Sequence, residues 1–322
     1  MSSLRNVVRL AGRCARAHRR LCTVQGVVAG VSVEDERVRE LLGRVNGMDM
    51  DVVFAPRKEP LVPPRYQLMT RDQLHKAHVE AVTEAKKLLE MTPVLPEREP
   101  RGETLRHDEE LDGYLEHRMV FTNISMNKDN RDREVVVREP TGVLREATWE
   151  ERDRMMQVYF PSLGRRMWLP HMLTEEGLLP VLEAGRYGDI LDMACLQCEP
   201  DSEDYIRVHR TVYDRIEVEG AYDSLRSTRH FGGLVWYLVQ QERIVGLVKD
   251  LVEKYLWSEG EALVELYLLC HPHCSLASST DSTPGKKLEA FCRHYSLGQL
   301  LAQLATCRDS AADTVLATQS IT

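Results

Sequence analysis

At 322 residues the chain is long enough to bury one large or two medium cores, and its apolar and charged fractions, 43% and 29%, are those of a folded globular protein. No stretch approaches the roughly 18 to 20 uninterrupted apolar residues of a membrane-spanning helix; the most apolar windows, Leu234–Val239 and Leu263–Cys270, are short and flanked by charge. Lys and Arg number 42 against 50 Asp and Glu, a net charge of −8, which excludes a protein that coats itself in phosphate.

The first residues stand apart. Met1–Gly26 carries Arg5, Arg9, Arg13, Arg16, Arg19 and Arg20 and no acidic residue; the first carboxylate is Glu34. Leu4, Val7, Val8, Leu10 and Ala11 interleave with the arginines, so a helix here has one apolar and one cationic face. That is the pattern of a mitochondrial transit peptide, assigned to residues 1–26, and it predicts a mitochondrial matrix protein. A secretory signal needs an unbroken apolar run, which the arginines interrupt; a basic tail is the other reading. Without the leader, 36 basic residues face 50 acidic ones, a net charge of −14, so protein partners should dominate the surface and nucleic-acid contact should be local. Eight cysteines at irregular spacing, two of them in the leader, do not form a disulfide framework for a reducing compartment.

In chain order, Val33–Val45 reads as a short helix with Val38, Leu41, Leu42 and Val45 on one face, followed by a proline-punctuated linker over Asp51–Pro64. Thr70–Glu90 is a second helix, N-capped by Thr70, with Leu74, Ala77, Ala81, Ala85 and Leu88 as its apolar stripe. Pro96–Asp112 is polar and proline-bearing, so it is expected to be extended or loose. Arg118–Ser125 and Arg133–Glu139 suit strands, and Val143–Arg145 returns as a third after the Pro140-Thr141-Gly142 turn. Thr148-Trp149-Glu150-Glu151 is a capping box that opens a helix running to Pro161.

From Thr174 onward almost everything reads as helix: Thr174–Ala184, Tyr187–Cys198, Ser202–Val218, Ala221–Arg226, Arg229–Gln240, Glu242–Trp257 and Glu259–His271. The breaks fall at Gly185, Pro200-Asp201, Gly220, Gly260 and Pro272. Ser275–Gly285 is a loop, Lys286–Thr306 a last helix and 307–322 a flexible tail. The fold class is mainly α: a small mixed α/β part over 33–170 with a short hairpin or meander, then an antiparallel helical domain over 174–306.

Cys195-Leu196-Gln197-Cys198 and Cys270-His271-Pro272-His273-Cys274 resemble two halves of a zinc site, with Cys195, Cys198, Cys270 and Cys274 as ligands or as a thiol-redox set. Against this, Cys195 and Cys198 share a helical stripe with Ile190, Leu191 and Ala194, the setting of small core residues, and lack the turn that presents a zinc knuckle. Gly232-Gly233 lies in a helical run without a P-loop's strand or Lys-Ser/Thr, and close helix packing explains it better. Glu109-Glu110 and Glu150-Glu151 diverge in direction and do not pair as hydrolase carboxylates. No catalytic set emerges. Two basic spots remain: Arg152 and Arg154 with Arg165 and Arg166 beside Trp168, and Arg226, Arg229 and His230 around Ser227-Thr228. Forked arginine donors with hydroxyls suit phosphate oxygens, and ion pairing with neighbouring carboxylates is the plainer alternative.

Four long strings then carry a resemblance: YQLMTRDQLHKAHVEAVTEAKKLLEMTPVLPER (Tyr66–Arg98), VVVREPTGVLREATWEERDRMMQVYFP (Val135–Pro161), CEPDSEDYIRVHRTVYDRI (Cys198–Ile216) and YDSLRSTRHFGGLVWYLV (Tyr222–Val239). They resemble, in order and at compatible spacing from about Val33 to His271, the metazoan mitochondrial small-subunit ribosomal proteins numbered twenty-two. The resemblance implies an architectural protein without a bacterial counterpart, in the lower body of the small subunit. It implies contacts with small-subunit mitochondrial rRNA and neighbouring ribosomal proteins, no catalytic residues, no cofactor, no metal site, no membrane and no small-molecule substrate. After Pro272 the chain departs from that family's pattern. A matrix zinc-binding or thiol-redox protein is the alternative from another class, and a transient assembly factor a third.

Overall fold

The computed structural model describes residues 27–28, 31–55, 66–114, 116–273 and 286–298. The expected leader, most of the proline linker, the 275–285 loop, the end of the last expected helix and the 307–322 tail lie outside the described residues.

The chain is mainly helical with a small antiparallel sheet, as its periodicities require. A two-residue ladder, β1 (Val27–Val28) with β2 (Val31–Ser32), leads into α1 (Glu36–Asn46), whose Val38, Leu41, Leu42 and Val45 are buried. The linker begins with a single helical turn, α2 (Met50–Val53), where Asp49 accepts from the Asp51 N–H, a local cap that the proline pattern concealed. Next comes α3 (Arg71–Leu88). Thr70 caps it as expected: its hydroxyl accepts from the Gln73 N–H, and the Gln73 side chain accepts from the Thr70 N–H.

Here the expected stripe does not become a core. Among the helix's residues only Ala85 is buried, while Leu74, Val79 and Leu88 are 62%, 50% and 50% exposed. Helical spacing selects a face, but among the described residues only its Ala85 part is fully covered, and the leucines at its two ends stay exposed.

The segment expected to be loose supplies a strand. β3 (Thr104–His107), β4 (Met119–Thr122), β5 (Val135–Arg138) and β6 (Val143–Glu146) form a sheet in the order β3-β6-β5-β4, antiparallel throughout. β3 is exposed on both faces and carries a register shift between Thr104 and Arg106, so it has no apolar alternation to reveal it. The β5–β6 turn needs Gly142: its φ is +75°, and a Cβ there would stand 2.2 Å from the Asp108 carbonyl oxygen. β5 buries Val135 and Val137 against α4 (Trp149–Tyr159), forming a small cluster with Ala147 and Met156.

The large core belongs to the following helices, α5 (Glu175–Glu183), α6 (Tyr187–Gln197), α7 (Glu203–Glu219), α8 (Phe231–Gln240), α9 (Val245–Glu253), α10 (Trp257–Cys270) and α11 (Lys286–His294), joined by α1 from upstream of the sheet. Phe231, Leu234, Leu238, Leu247, Leu251, Leu263 and Leu266 fill it around Trp236, which is 0% exposed. α10 packs on α1, α8, α9 and α11. Gly220 ends α7 in the left-handed conformation, as expected. Two details differ. The 221–226 segment forms only a 3-10 turn over Tyr222–Ser224. Gly260 lies inside α10; the break comes earlier, at Tyr255, whose φ of +60° reverses the chain without a glycine to announce it. Gly233 allows the close approach of α8 and α7: a Cβ would lie 2.7 Å from the Tyr213 hydroxyl.

Candidate functional site

The sheet is tied to α4 chiefly by Arg145, with the more exposed Arg118 reaching the same two carboxylates, 3.1 Å from Glu139 and 3.7 Å from Glu151. Arg145, on β6, donates from Nη1 and Nη2 to both oxygens of Glu151, at 2.8 and 2.9 Å, and from Nε and Nη2 to Glu139, at 3.0 and 2.7 Å. Glu151 also closes the Thr148 capping box, accepting from the Thr148 N–H at 2.9 Å. The hydrogen bonds from Arg145, helped by those from Thr148, outweigh burial and pull the Glu151 carboxyl down to about 2. Such a forked contact fixes geometry as well as charge.

Beyond α4 lies a cleft. Arg154, Arg165, Arg166 and Trp168 line it together with Arg98 and the carboxylates of Glu150, Asp153, Glu199 and Asp204. Arg154 is exposed, with its guanidinium 4.5 Å from the centroid of the exposed Trp168 ring. Arg166 is exposed too, and its backbone N–H donates to Gln197. Arg165 is half-buried and donates to Glu199 at 2.6 Å. Arg152 points the other way: it is buried, donates to the carbonyls of Asn130 and Arg131, and lies 5.6 Å from the Trp149 ring centroid. Arg98, which the sequence reading did not select, bridges the regions, pairing with Asp153 at 2.8 Å while stacking on Trp149. Its polar, proline-rich surroundings gave no periodic signal.

The second basic spot is turned inward. Arg229 pairs with Asp192, and the buried His230 places Nε2 3.0 Å from the same carboxylate. Burial would raise the Asp192 carboxyl, but the His230 hydrogen bond and the Arg229 charge hold it at about 2. Arg226 lies over Phe231, at 5.9 Å. The structure thus brings Arg154, Arg165 and Arg166 to one cleft and keeps Arg226, Arg229 and His230 in another place. Of all seven, Arg154 and Arg166 offer the most open guanidinium groups.

Of the four cysteines of the alternative zinc or redox reading, the three among the described residues do not gather into one metal-binding group. Cys195 and Cys198 lie on and just after α6, Cys270 ends α10, all three are free thiols, and Cys274 falls outside the described residues. Burial pushes the Cys198 thiol up to about 12 and that of Cys270 to about 11, the reverse of what a redox thiolate needs. Among the described residues no helix is long and apolar enough to cross a membrane.

Fold and site together define a mainly α protein that, among its described residues, presents a mixed-charge cleft and a largely exposed helix to its surroundings. The chain belongs to the mitochondrial 28S ribosomal protein S22 family, whose model matches residues 31–272. It is 45% identical over 238 residues to the small ribosomal subunit protein mS22 of Mus musculus, and to the same degree to that of Bos taurus. Each alignment covers 74% of this chain and 66% of the relative. The chain therefore spans somewhat less than two thirds of the length of the relatives it matches.

Proposed function

We propose that this chain is an architectural component of the mitochondrial small ribosomal subunit, working in the matrix and without enzymatic activity. The observation that carries the reading is the match over residues 31–272 to a family of mitochondrial ribosomal proteins, together with 45% identity to two mS22 proteins. In this reading neighbouring ribosomal proteins cover the exposed apolar side chains of α3, Leu74 and Leu88 on its stripe and Val79 on the other side, which gain from burial only against an apolar partner. Small-subunit rRNA meets the cleft at Arg154 and Arg166, with the exposed Trp168 beside them as a stacking surface. Arg165 shapes the cleft through Glu199, and Arg152, Arg229 and His230 serve the protein interior. Arg226, partly screened by Phe231, contributes at most at the margin of the second spot.

Sedimentation of mitochondrial lysate tests it. The protein should travel with the small subunit and shift when magnesium is chelated. Recovery only in the light soluble fractions would overturn the reading, and presence on precursors but absence from mature monosomes would recast it as an assembly factor.

A further inference from the structure

The helical core contains a second cluster that the ribosomal reading does not use. Cys195 on α6, His209 on α7 and His230 at the start of α8 converge there, with one sulfur or nitrogen of each lying within 4.8 Å of the others. The two imidazoles are 7% and 2% exposed, so water does not freely solvate them.

The hydrogen bonds around the cluster decide which imidazole nitrogens are already engaged and which are left for a ligand. His209 Nδ1 lies 2.8 Å from the Tyr205 carbonyl oxygen, which can only accept, so Nδ1 carries the proton and Nε2 is a bare lone pair. His230 Nε2 lies 3.0 Å from Asp192 Oδ1, which can only accept, and 3.4 Å from the Arg229 Nε donor; because Arg229 is itself paired with Asp192, the shorter carboxylate contact places the proton on Nε2 and leaves the lone pair on Nδ1. His209 Nε2 and His230 Nδ1 are both buried and have no hydrogen-bond partner. Two imidazole nitrogens without a partner thus lie in a buried cluster with a thiol, where an unpaired polar atom is costly. Nothing in the cluster can donate to both nitrogens; Cys195 has one proton, and its Sγ lies 3.9 Å from the Tyr205 hydroxyl.

We propose that Cys195, His209 and His230 bind a zinc ion. One thiolate and two neutral imidazoles are the borderline-soft donors that zinc prefers. Bonds of about 2.0–2.3 Å put tetrahedral ligand atoms roughly 3.3–3.8 Å apart, so closure from the observed spacing needs shifts of only about an ångström. The outer shell is already in place: the Asp192 carboxylate holds one imidazole, and the Tyr205 carbonyl holds the other, which are the partners that metal-bound histidines use. Tyr205 also stacks on His209, with ring centroids 3.9 Å apart, fixing its plane. A cleft lined by Met91, Thr92, Tyr205 and Arg229 opens on Cys195, giving the ion a route and a water the fourth position. Arg229 adds a positive charge nearby, which its pairing with Asp192 offsets. Binding expels the Cys195 thiol proton. The site joins three helices and stands apart from the four-cysteine set, sharing only Cys195 with it.

Elemental analysis of the full chain, purified reduced and without chelators, is the test. About one zinc per chain is expected, lost in Cys195→Ser and His209→Gln and kept in Cys198→Ser. Cobalt loaded into the same protein should show a thiolate charge-transfer band, which gives an answer even where a variant fails to fold. A wild-type chain with less than about a tenth of an equivalent and no cobalt band would overturn the proposal, and water would then bridge the two nitrogens. Undiminished zinc in a helical His209→Gln protein, or its loss in Cys198→Ser, would overturn the ligand set.

Discussion

The helical core and the sheet with α4 are stabilised by different means. The first is a continuous apolar interior in which Trp236, Phe231 and many leucines and valines pack together across α1 and α5–α11. The second has four buried apolar residues, Val135, Val137, Ala147 and Met156, and relies on Arg145 clamping Glu139 and Glu151. Apolar burial is tolerant of direction, whereas an arginine held by two carboxylates is not. The contrast teaches that the helical part should be the robust one and the sheet the part whose order depends on a few polar contacts.

The largest effect is expected in the core. Trp236→Ala should cost about 3–5 kcal/mol and broaden or abolish the main unfolding transition in denaturant. A loss under about 1 kcal/mol would contradict the view that this interior dominates. Next, Arg145→Met leaves Glu139 and Glu151 held only by the more exposed Arg118; with both carboxylate side chains about four-fifths buried, a cost of about 1–3 kcal/mol follows, confined to the sheet. Hydrogen exchange should show amides of β5 and β6 losing protection while those of α8 and α10 keep theirs. Equal loss in both regions would break the comparison.

Acid sharpens the same distinction. Glu151 has its folded value depressed to about 2, so its contribution is complete above the unfolded value of about 4.3 and is lost as pH falls between them. Between pH 4.5 and 2 the sheet amides should open before those of α8. Thr148→Ala, removing one half of the capping box, should cost about 1 kcal/mol and fray the first turn of α4 by the same exchange measurement. Smallest is Leu74→Ser with Val79→Ser on α3: within about 0.5 kcal/mol for the isolated protein, yet lowering recovery in the small-subunit fraction if that face is covered there.

Much of this was readable along the chain. Three of the four strands, both Thr caps and most helices after Thr174 follow from local period and capping chemistry, which act over three or four residues. β3 was not, because a doubly exposed edge strand has no alternation and owes its form to pairing with β6. Nor was the chain reversal at Tyr255, since a non-glycine residue with positive φ gives no compositional signal. For the basic residues, the sequence grouped the arginines around Trp168 but could not separate Arg154, which is exposed, from Arg152, which is buried and used to tie down the 130–131 loop.

By itself, then, the sequence determined the elements, their order, the acidic balance of the body and membership in a family, since each is written in short-range pattern or in long strings of identity. Tertiary structure alone decided which faces found a partner. On α3 the two leucines of the apolar stripe, Leu74 and Leu88, stay exposed, whereas Cys195, His209 and His230, 14 and 21 residues apart, meet in the interior. Helical period tells which residues share a face; only the packing of helix on helix tells what that face meets.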